Sequence, residues 1–246
     1  AGADTRRTSL SSFYNLQLAL RILSGTGEDA DEGVDNLVYN NADFGEASRI
    51  FILTGPNQGG KTTFTQGVGL AQVLAQAGLF APAKEAIISP CDMIYTHFPA
   101  EERGQLVTGR LGEELSRLHD MFEQITDQSM VLMNESLSST SPGEATVLAM
   151  DIVKGLRLTG VRCIYATHLH DLAARTDDIN ASVEGESVVA SLVAVSEAPD
   201  ESVETTRTYR IIPAPPMGQS YAVDIARRYQ VRLQDIEEMQ KRRDAQ

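Results

Sequence analysis

The sequence predicts an α/β fold, a mostly parallel β-sheet flanked by helices. Three observations carry that expectation. Short apolar runs at 50–53, 130–133 and 161–166 have the composition of strands buried on both faces. Helix-length amphipathic or capped segments alternate with them. The first run, Ile50-Phe51-Ile52-Leu53, passes through a glycine-rich turn straight into a helical segment at 61–77, which Gly78 and then Pro82 close. With 42% hydrophobic residues in 246, the chain can fill one large domain, or one domain with appendages.

The remaining elements follow in chain order. Leu10, Phe13, Leu16, Leu20 and Leu23 recur at helical spacing and predict a helix over 9–23. Residues 24–36 are rich in glycine and acid and read as a linker or exposed loop. Residues 37–53 read as strands leading into the turn, and 86–96 as short strands; 97–110 is a polar loop with scattered glycine, expected to be mobile. From Leu111, the positions Leu115, Leu118, Phe122 and Ile125 make a helical stripe. Ser141-Pro142-Gly143-Glu144 is a helix start: Ser141 can cap, Pro142 suits the first turn, and Glu144 can complete a capping box. That helix runs to Leu158 and stops at Gly160. Residues 187–195 and 204–212 predict an antiparallel pair joined by an acidic loop, and the tail from Gln219 reads as two helices ending in a charged run.

Composition excludes some roles. At a net charge of −13 the chain is a poor generic binder of the DNA backbone, which calls for clustered Lys and Arg. Part of the acid is local, at 28–35 and 197–204, and reads as solvated loops. No run of 18 apolar residues indicates a membrane span, and no signal peptide is visible. Cys91 and Cys163 lie far apart without metal spacing, which suits a reducing, cytoplasmic compartment, with Cys163 in the core. The start at Ala-Gly-Ala, without Met, suggests an excised or processed segment.

The turn after the first strand names a ligand class. Gly55-Pro56-Asn57-Gln58-Gly59-Gly60-Lys61-Thr62 fits the phosphate-cradling pattern G-x-x-x-x-G-K-[ST], and Thr63 follows. Glycines let backbone N–H groups approach phosphate oxygens, and the following helix offers its N-terminus to the same anion. Lys61 can place its charge near the β and γ phosphates, and the Thr62 hydroxyl can ligate Mg²⁺. The expected ligand is ATP with Mg²⁺. Tyr39 and Phe44, aromatic residues ahead of the loop, are candidates for the adenine seat.

Hydrolysis also calls for a carboxylate that positions a water in line with the γ phosphate. Glu135, directly after the strand 130–134, is that candidate. The usual pair at such a strand end is Asp then Glu; here Asn134 stands first, a neutral group with a weaker hold on a magnesium-bound water. His168 ends the next apolar strand, where it can reach the γ phosphate or the attacking water. His170 follows two residues on, but the pair lacks a nearby Cys or third His for a metal site.

These motifs together resemble the C-terminal ATPase domain of the MutS family of DNA mismatch repair proteins. Thr54-Gly55-Pro56-Asn57-Gln58-Gly59-Gly60-Lys61-Thr62-Thr63 is similar to that family's phosphate loop, including the Pro-Asn pair, with Gln58 in place of a usual Met. Asn134-Glu135 with Thr140-Ser141 resembles its acidic pair and downstream Thr-Ser loop, and Ala166-Thr167-His168-Leu169-His170-Asp171-Leu172 its Ala-Thr-His-x-His-Glu-Leu signature. Gly218-Gln219-Ser220-Tyr221-Ala222 with Ile225-Ala226 resembles the start of its terminal helical piece, and Ser12-Phe13-Tyr14 the end of its lever helices. The resemblance implies a P-loop NTPase fold of the ABC type with a C-terminal helical piece. It implies a homodimer formed through the ATPase face, each nucleotide completed by the partner's copy of the segment 109–114, which here lacks the family's Ser-Thr-Phe. DNA would be contacted by domains absent from this chain. It divides the chain into a lever-helix end and linker (1–36), an ABC-type ATPase domain (37–216) and a helical dimerisation segment (217–246). Asn134, Gln58 and the altered segment mark a divergent, MutS-like paralogue.

Two other readings stand beside an ATPase that drives a DNA-binding dimer. One is a nucleotide-gated interaction module with little or no catalysis, favoured by Asn134 and the altered segment. The other is a different ABC-type ATPase of chromosome maintenance or transport, against which the Pro-Asn pair and the Thr-His-x-His motif argue.

Overall fold

The computed structural model describes residues 6–25, 37–45, 47–99, 109–197, 206–216 and 231–244. The sequence expectations for the loops at 28–35, 100–108 and 198–204 and for the motif at 218–226 lie outside the described residues. In chain order the strands are β1 (Thr8–Phe13), β2 (Asn40–Phe44), β3 (Ile50–Thr54), β4 (Glu85–Ile88), β5 (Ile94–His97), β6 (Met130–Asn134), β7 (Arg162–Ala166), β8 (Val189–Glu197) and β9 (Thr206–Pro213). The helices are α1 (Leu16–Ser24), α2 (Lys61–Gln76), α3 (Gly109–Phe122), α4 (Pro142–Thr159), α5 (His170–Ala174), α6 (Thr176–Ser182) and α7 (Leu233–Asp244).

The main sheet has the order β5-β6-β7-β3-β8-β9 and is parallel except for the last pair, β8 and β9. Its central strands are apolar on both sides because both sides are covered. Ile50, Ile52, Val131, Met133, Cys163 and Tyr165 enter a core with α3, α4, α5 and α6. Their neighbours Phe51, Leu53, Met130, Leu132, Ile164 and Ala166 point the other way, into a core with α2 and a second, three-stranded antiparallel sheet β2-β1-β4. Successive side chains of a strand alternate faces, so each run feeds two cores at once.

The expected helix ends occur where expected. The Ser141 side chain accepts from the Glu144 N–H and Pro142 opens α4, while Gly160, at φ 84, closes it in the left-handed region. The N-terminal helix is a correction. Residues 8–13, with Ser12 and Phe13, form a strand between β2 and β4, and the helix begins only after Asn15, whose side chain accepts from the Leu18 N–H. The leucine spacing ran across two elements. Leu10 and Phe13 are buried strand residues, whereas Leu20 and Leu23 are exposed on α1. A lever-helix end at Ser12-Phe13-Tyr14 is therefore not what the backbone adopts.

The small sheet is fastened to the large one by Arg162, buried at the start of β7. Its guanidinium donates to the Thr8 hydroxyl and to the carbonyls of Ser89, Pro90 and Gln128. Cys91 and Cys163 are both buried and unbridged. No helix among the described residues is long and apolar enough to cross a membrane.

Candidate functional site

Parallel register brings the carboxyl ends of three strands level, with Leu53 paired to Ala166 and Asn134 paired to the same Ala166. The segments leaving those ends are the glycine loop, the turn after Glu135 and the Thr167-His168 segment. Open parallel sheets bind ligands at this end. Two backbone bonds hold the exits together: the Glu135 N–H donates to the Ala166 carbonyl at 2.8 Å, and the Thr167 N–H to the Leu53 carbonyl at 2.9 Å.

The glycine loop is shaped by two positions that only glycine tolerates. Gly55 has φ 140, and a Cβ there would stand 2.6 Å from the Ala194 Cβ on β8. Gly60 has φ 89 beneath the Tyr209 ring of β9. The chain between them folds over Lys61, whose ammonium donates to the carbonyls of Gly55 and Pro56, each at 3.0 Å. An ammonium has three hydrogens, so one remains for an anion. Lys61 is only 4% exposed. Burial pushes its amine below the ordinary lysine range, and the Glu135 carboxylate pulls in the opposite direction.

Next to it, the Thr62 hydroxyl donates to the Asn134 side-chain oxygen at 3.0 Å. Its proton thus occupied, the hydroxyl keeps its lone pairs for a cation. Glu135 sits at φ 51, a left-handed conformation for a residue with a Cβ, and its carboxylate lies 2.8 Å from His168 Nε2. Both side chains are about one-third to two-fifths exposed, at 35% and 43%. His170 stands at the start of α5, its Nδ1 buried without a partner among the described residues. Burial, with His168 and Lys61 nearby, pushes it below the usual histidine range. Among the described residues no group of three or more His, Cys, Asp or Glu converges on a metal position.

These groups open on a cleft of about 490 Å³. Gln58, Gly59, Gly60, Lys61, Thr62, Thr63 and Glu135 line its phosphate end. Gly55, Pro56 and Asn134 stand behind that wall, Asn57 is exposed on the loop, and His168 is reached through Glu135. Leu18, Leu37 and Val38 also line the cleft, beside Arg21 and Asn40, and the Tyr209 side chain stands over Gly60. Phe44 is not there: it is fully buried against Phe51 in the core. Tyr39 packs edge-on against Tyr14 and is half exposed. Tyr209 lies about 150 residues from the loop it covers. Asn40 fixes it there, donating to the Tyr209 carbonyl at 3.0 Å and accepting from the Ile211 N–H at 2.7 Å.

The profile of MutS domain V matches residues 51–244. This chain belongs to the MutS family, as its domain V. It is 33% identical to the endonuclease MutS2 of Thermus thermophilus over 195 residues, 79% of this chain and 25% of the relative. The endonuclease MutS2 of Streptococcus uberis is also 33% identical, over 78% of this chain and 23% of the relative. The DNA mismatch repair protein MutS of Lawsonia intracellularis is 30% identical, over 79% of this chain and 21% of the relative. The chain thus spans about a quarter of the length of these curated relatives.

Proposed function

We propose that this MutS domain V is a P-loop, ABC-type ATPase that binds and hydrolyses Mg-ATP. One observation carries the reading: a buried ammonium, a hydroxyl with its proton already donated, and a carboxylate paired with an imidazole line or adjoin one cleft at the carboxyl end of a parallel sheet. The donor set fits a triphosphate with its metal. The amides at the N-terminus of α2 and the Lys61 ammonium would bind the phosphates, and the loop carbonyls that hold Lys61 keep it aimed. The Thr62 hydroxyl would hold Mg²⁺, with the Asn134 amide oxygen behind it accepting from a metal-bound water. Mg²⁺ when bound supplies neutralisation of phosphate charge. Glu135 orients and polarises the attacking water, and His168 fixes the Glu135 carboxylate while reaching toward the same water or the γ phosphate. Leu37, Val38 and Tyr209 form the seat for the base.

The longer protein to which such a domain contributes is proposed to be a cytoplasmic homodimer through the ATPase face. In it nucleotide-driven closure and reopening move DNA-binding parts outside this chain. The assignment of 37–216 to the ATPase domain, joined by β1 from the segment before it, and of 217–246 to a dimerisation segment belongs to the same proposal. Steady-state phosphate release by that longer protein, with magnesium and DNA, tests it against Lys61→Ala. A rate well above the Lys61→Ala control supports hydrolysis. A rate equal to the control, with saturable ATP binding kept, favours a nucleotide-gated interaction module, the reading to which Asn134, uncharged at the cation side of the cleft, lends weight.

A further inference from the structure

The turn that presents Glu135 is held in an unfavourable conformation. Glu135 and Leu137 both lie at positive φ, 51 and 66, and neither is glycine. Each such residue is strained and persists only where surrounding contacts over-determine it. The turn is also buried: Ser136 is 4% and Leu137 1% exposed, so the Leu137 N–H cannot turn to water.

The contact that answers both problems comes from another element. Glu114, half-buried on α3, accepts from the Leu137 N–H at 2.7 Å with one carboxylate oxygen and from the Ser139 hydroxyl at 3.3 Å with the other. A carboxylate on a backbone amide is a charge-assisted bond, stronger than the neutral alternative. Two further side chains brace the residue between: Tyr165 donates its hydroxyl to the Ser136 carbonyl at 3.2 Å, and His97 Nδ1 lies 2.7 Å from the Ser136 hydroxyl. Leu118 and Met121, one and two turns beyond Glu114, fix α3 to the core that also contains Val131, Met133 and Leu137.

We propose that Glu114 is a positioning residue for the ATPase reaction, latching the turn after Glu135 so that the Glu135 carboxylate faces the cleft. The inference rests on the hydrolytic reading above and adds a residue that does not line the cleft of its own chain, a role separate from the partner-facing one that the resemblance implies for segment 109–114. It also makes the orientation of Glu135 depend on the placement of α3, so a shift of that helix is felt at the carboxylate.

The test uses Glu114→Ala and Glu114→Gln in the longer protein. Gln retains an oxygen that can accept the Leu137 N–H; Ala retains nothing. Glu114→Ala is expected to lower kcat about tenfold or more while the dissociation constant for a labelled ATP analogue stays within twofold, and Glu114→Gln to restore most of kcat. A loss of binding in step with turnover, or an unchanged kcat in folded Glu114→Ala, overturns the proposal. Hydrogen exchange gives a readout that needs no turnover. The Leu137 amide should exchange at least tenfold faster in Glu114→Ala and near the wild-type rate in Glu114→Gln. Equal protection in all three removes the latch. If Glu114→Ala does not fold, Glu114→Asp takes its place; its shorter side chain should lose both the Leu137 protection and kcat, and retention of both is the contrary result. Wild-type phosphate release no faster than Lys61→Ala, with the exchange pattern as expected, would strike the hydrolytic reading and leave the latch in place.

Discussion

His168 Nε2 and the Glu135 carboxylate meet at 2.8 Å across the ends of β7 and β6, two strands whose register is set by five paired positions. The pair is rigid at its base because the Glu135 N–H is tied to the Ala166 carbonyl. Replacing Glu135 by Gln keeps the shape and a hydrogen-bond partner for His168 but removes the charge that polarises water. Turnover should fall about a hundredfold or more, with nucleotide binding kept, as single-turnover and equilibrium binding measurements would read. His168→Ala should fall less, about tenfold, because the carboxylate itself remains. Equal effects of the two changes would put His168 in the chemistry on its own account.

Asn134 sets the demand for magnesium. Its side-chain oxygen accepts from Thr62 at 3.0 Å, where a carboxylate would add charge to the same contact. Asn134→Asp should lower the magnesium concentration for half-maximal nucleotide binding about tenfold, the difference between a neutral and a charge-assisted bond. Without magnesium the same change should lower thermal stability, since it buries a second carboxylate beside Glu135 at a site only 5% exposed. A magnesium titration in both proteins decides it; superimposable curves would remove Asn134 from the cation side of the cleft.

The parts of this molecule that its sequence exposes are those whose causes are local. The strands β3, β6 and β7 are apolar throughout because helices and a second sheet cover both faces, and that double burial is written into consecutive residues. The caps at Ser141 and Gly160 act within one turn of the residues that signal them. What was hidden depends on distant partners. β1 exists because β2 and β4, which begin about 30 and 75 residues later, flank it, and its Leu10 and Phe13 happen to continue the leucine spacing of α1. Phe44 precedes the glycine loop in sequence yet turns into the core, while Tyr209 reaches that loop from β9. Glu114 closes the segment 109–114 that the resemblance assigns to a partner's nucleotide, and nothing in the sequence ties it to the turn after Glu135; only the fold brings it to Leu137.

Gly55 and Gly143 predict opposite outcomes for the same substitution. At Gly55, alanine must adopt φ 140 and place its Cβ 2.6 Å from that of Ala194 and 3.0 Å from its carbonyl oxygen. Strain and overpacking together should cost about 2–4 kcal/mol. At Gly143, in the first turn of α4, a Cβ meets nothing within 4 Å, and alanine should stabilise by about 0.5–1 kcal/mol. Urea unfolding of the two variants checks both signs. An undiminished midpoint for Gly55→Ala would mean that the loop can leave this conformation freely.

His97 should make the fold sensitive to mild acid. It is buried at the end of β5, bonded at Nδ1 to Ser136 and without a partner at Nε2 among the described residues. Burial, reinforced by Arg117, pushes its pKa below the ordinary histidine value, and Glu114 only partly offsets this. The unfolded chain, whose histidine titrates near 6.5, therefore takes up its proton first as the pH falls. Stability from this group is complete above that value. It declines as the pH drops from about 6.5 toward the lower folded pKa, and below the folded pKa the loss stops growing. His97→Asn offers Ser136 a hydrogen-bonding amide that does not titrate, so its unfolding midpoint should fall less between pH 7.5 and 5.5 than that of the wild type. The remaining slope would include His170, whose pKa is pushed down in the same direction. Identical losses in wild type and His97→Asn would show that the buried imidazole already finds an acceptor for its second proton when charged.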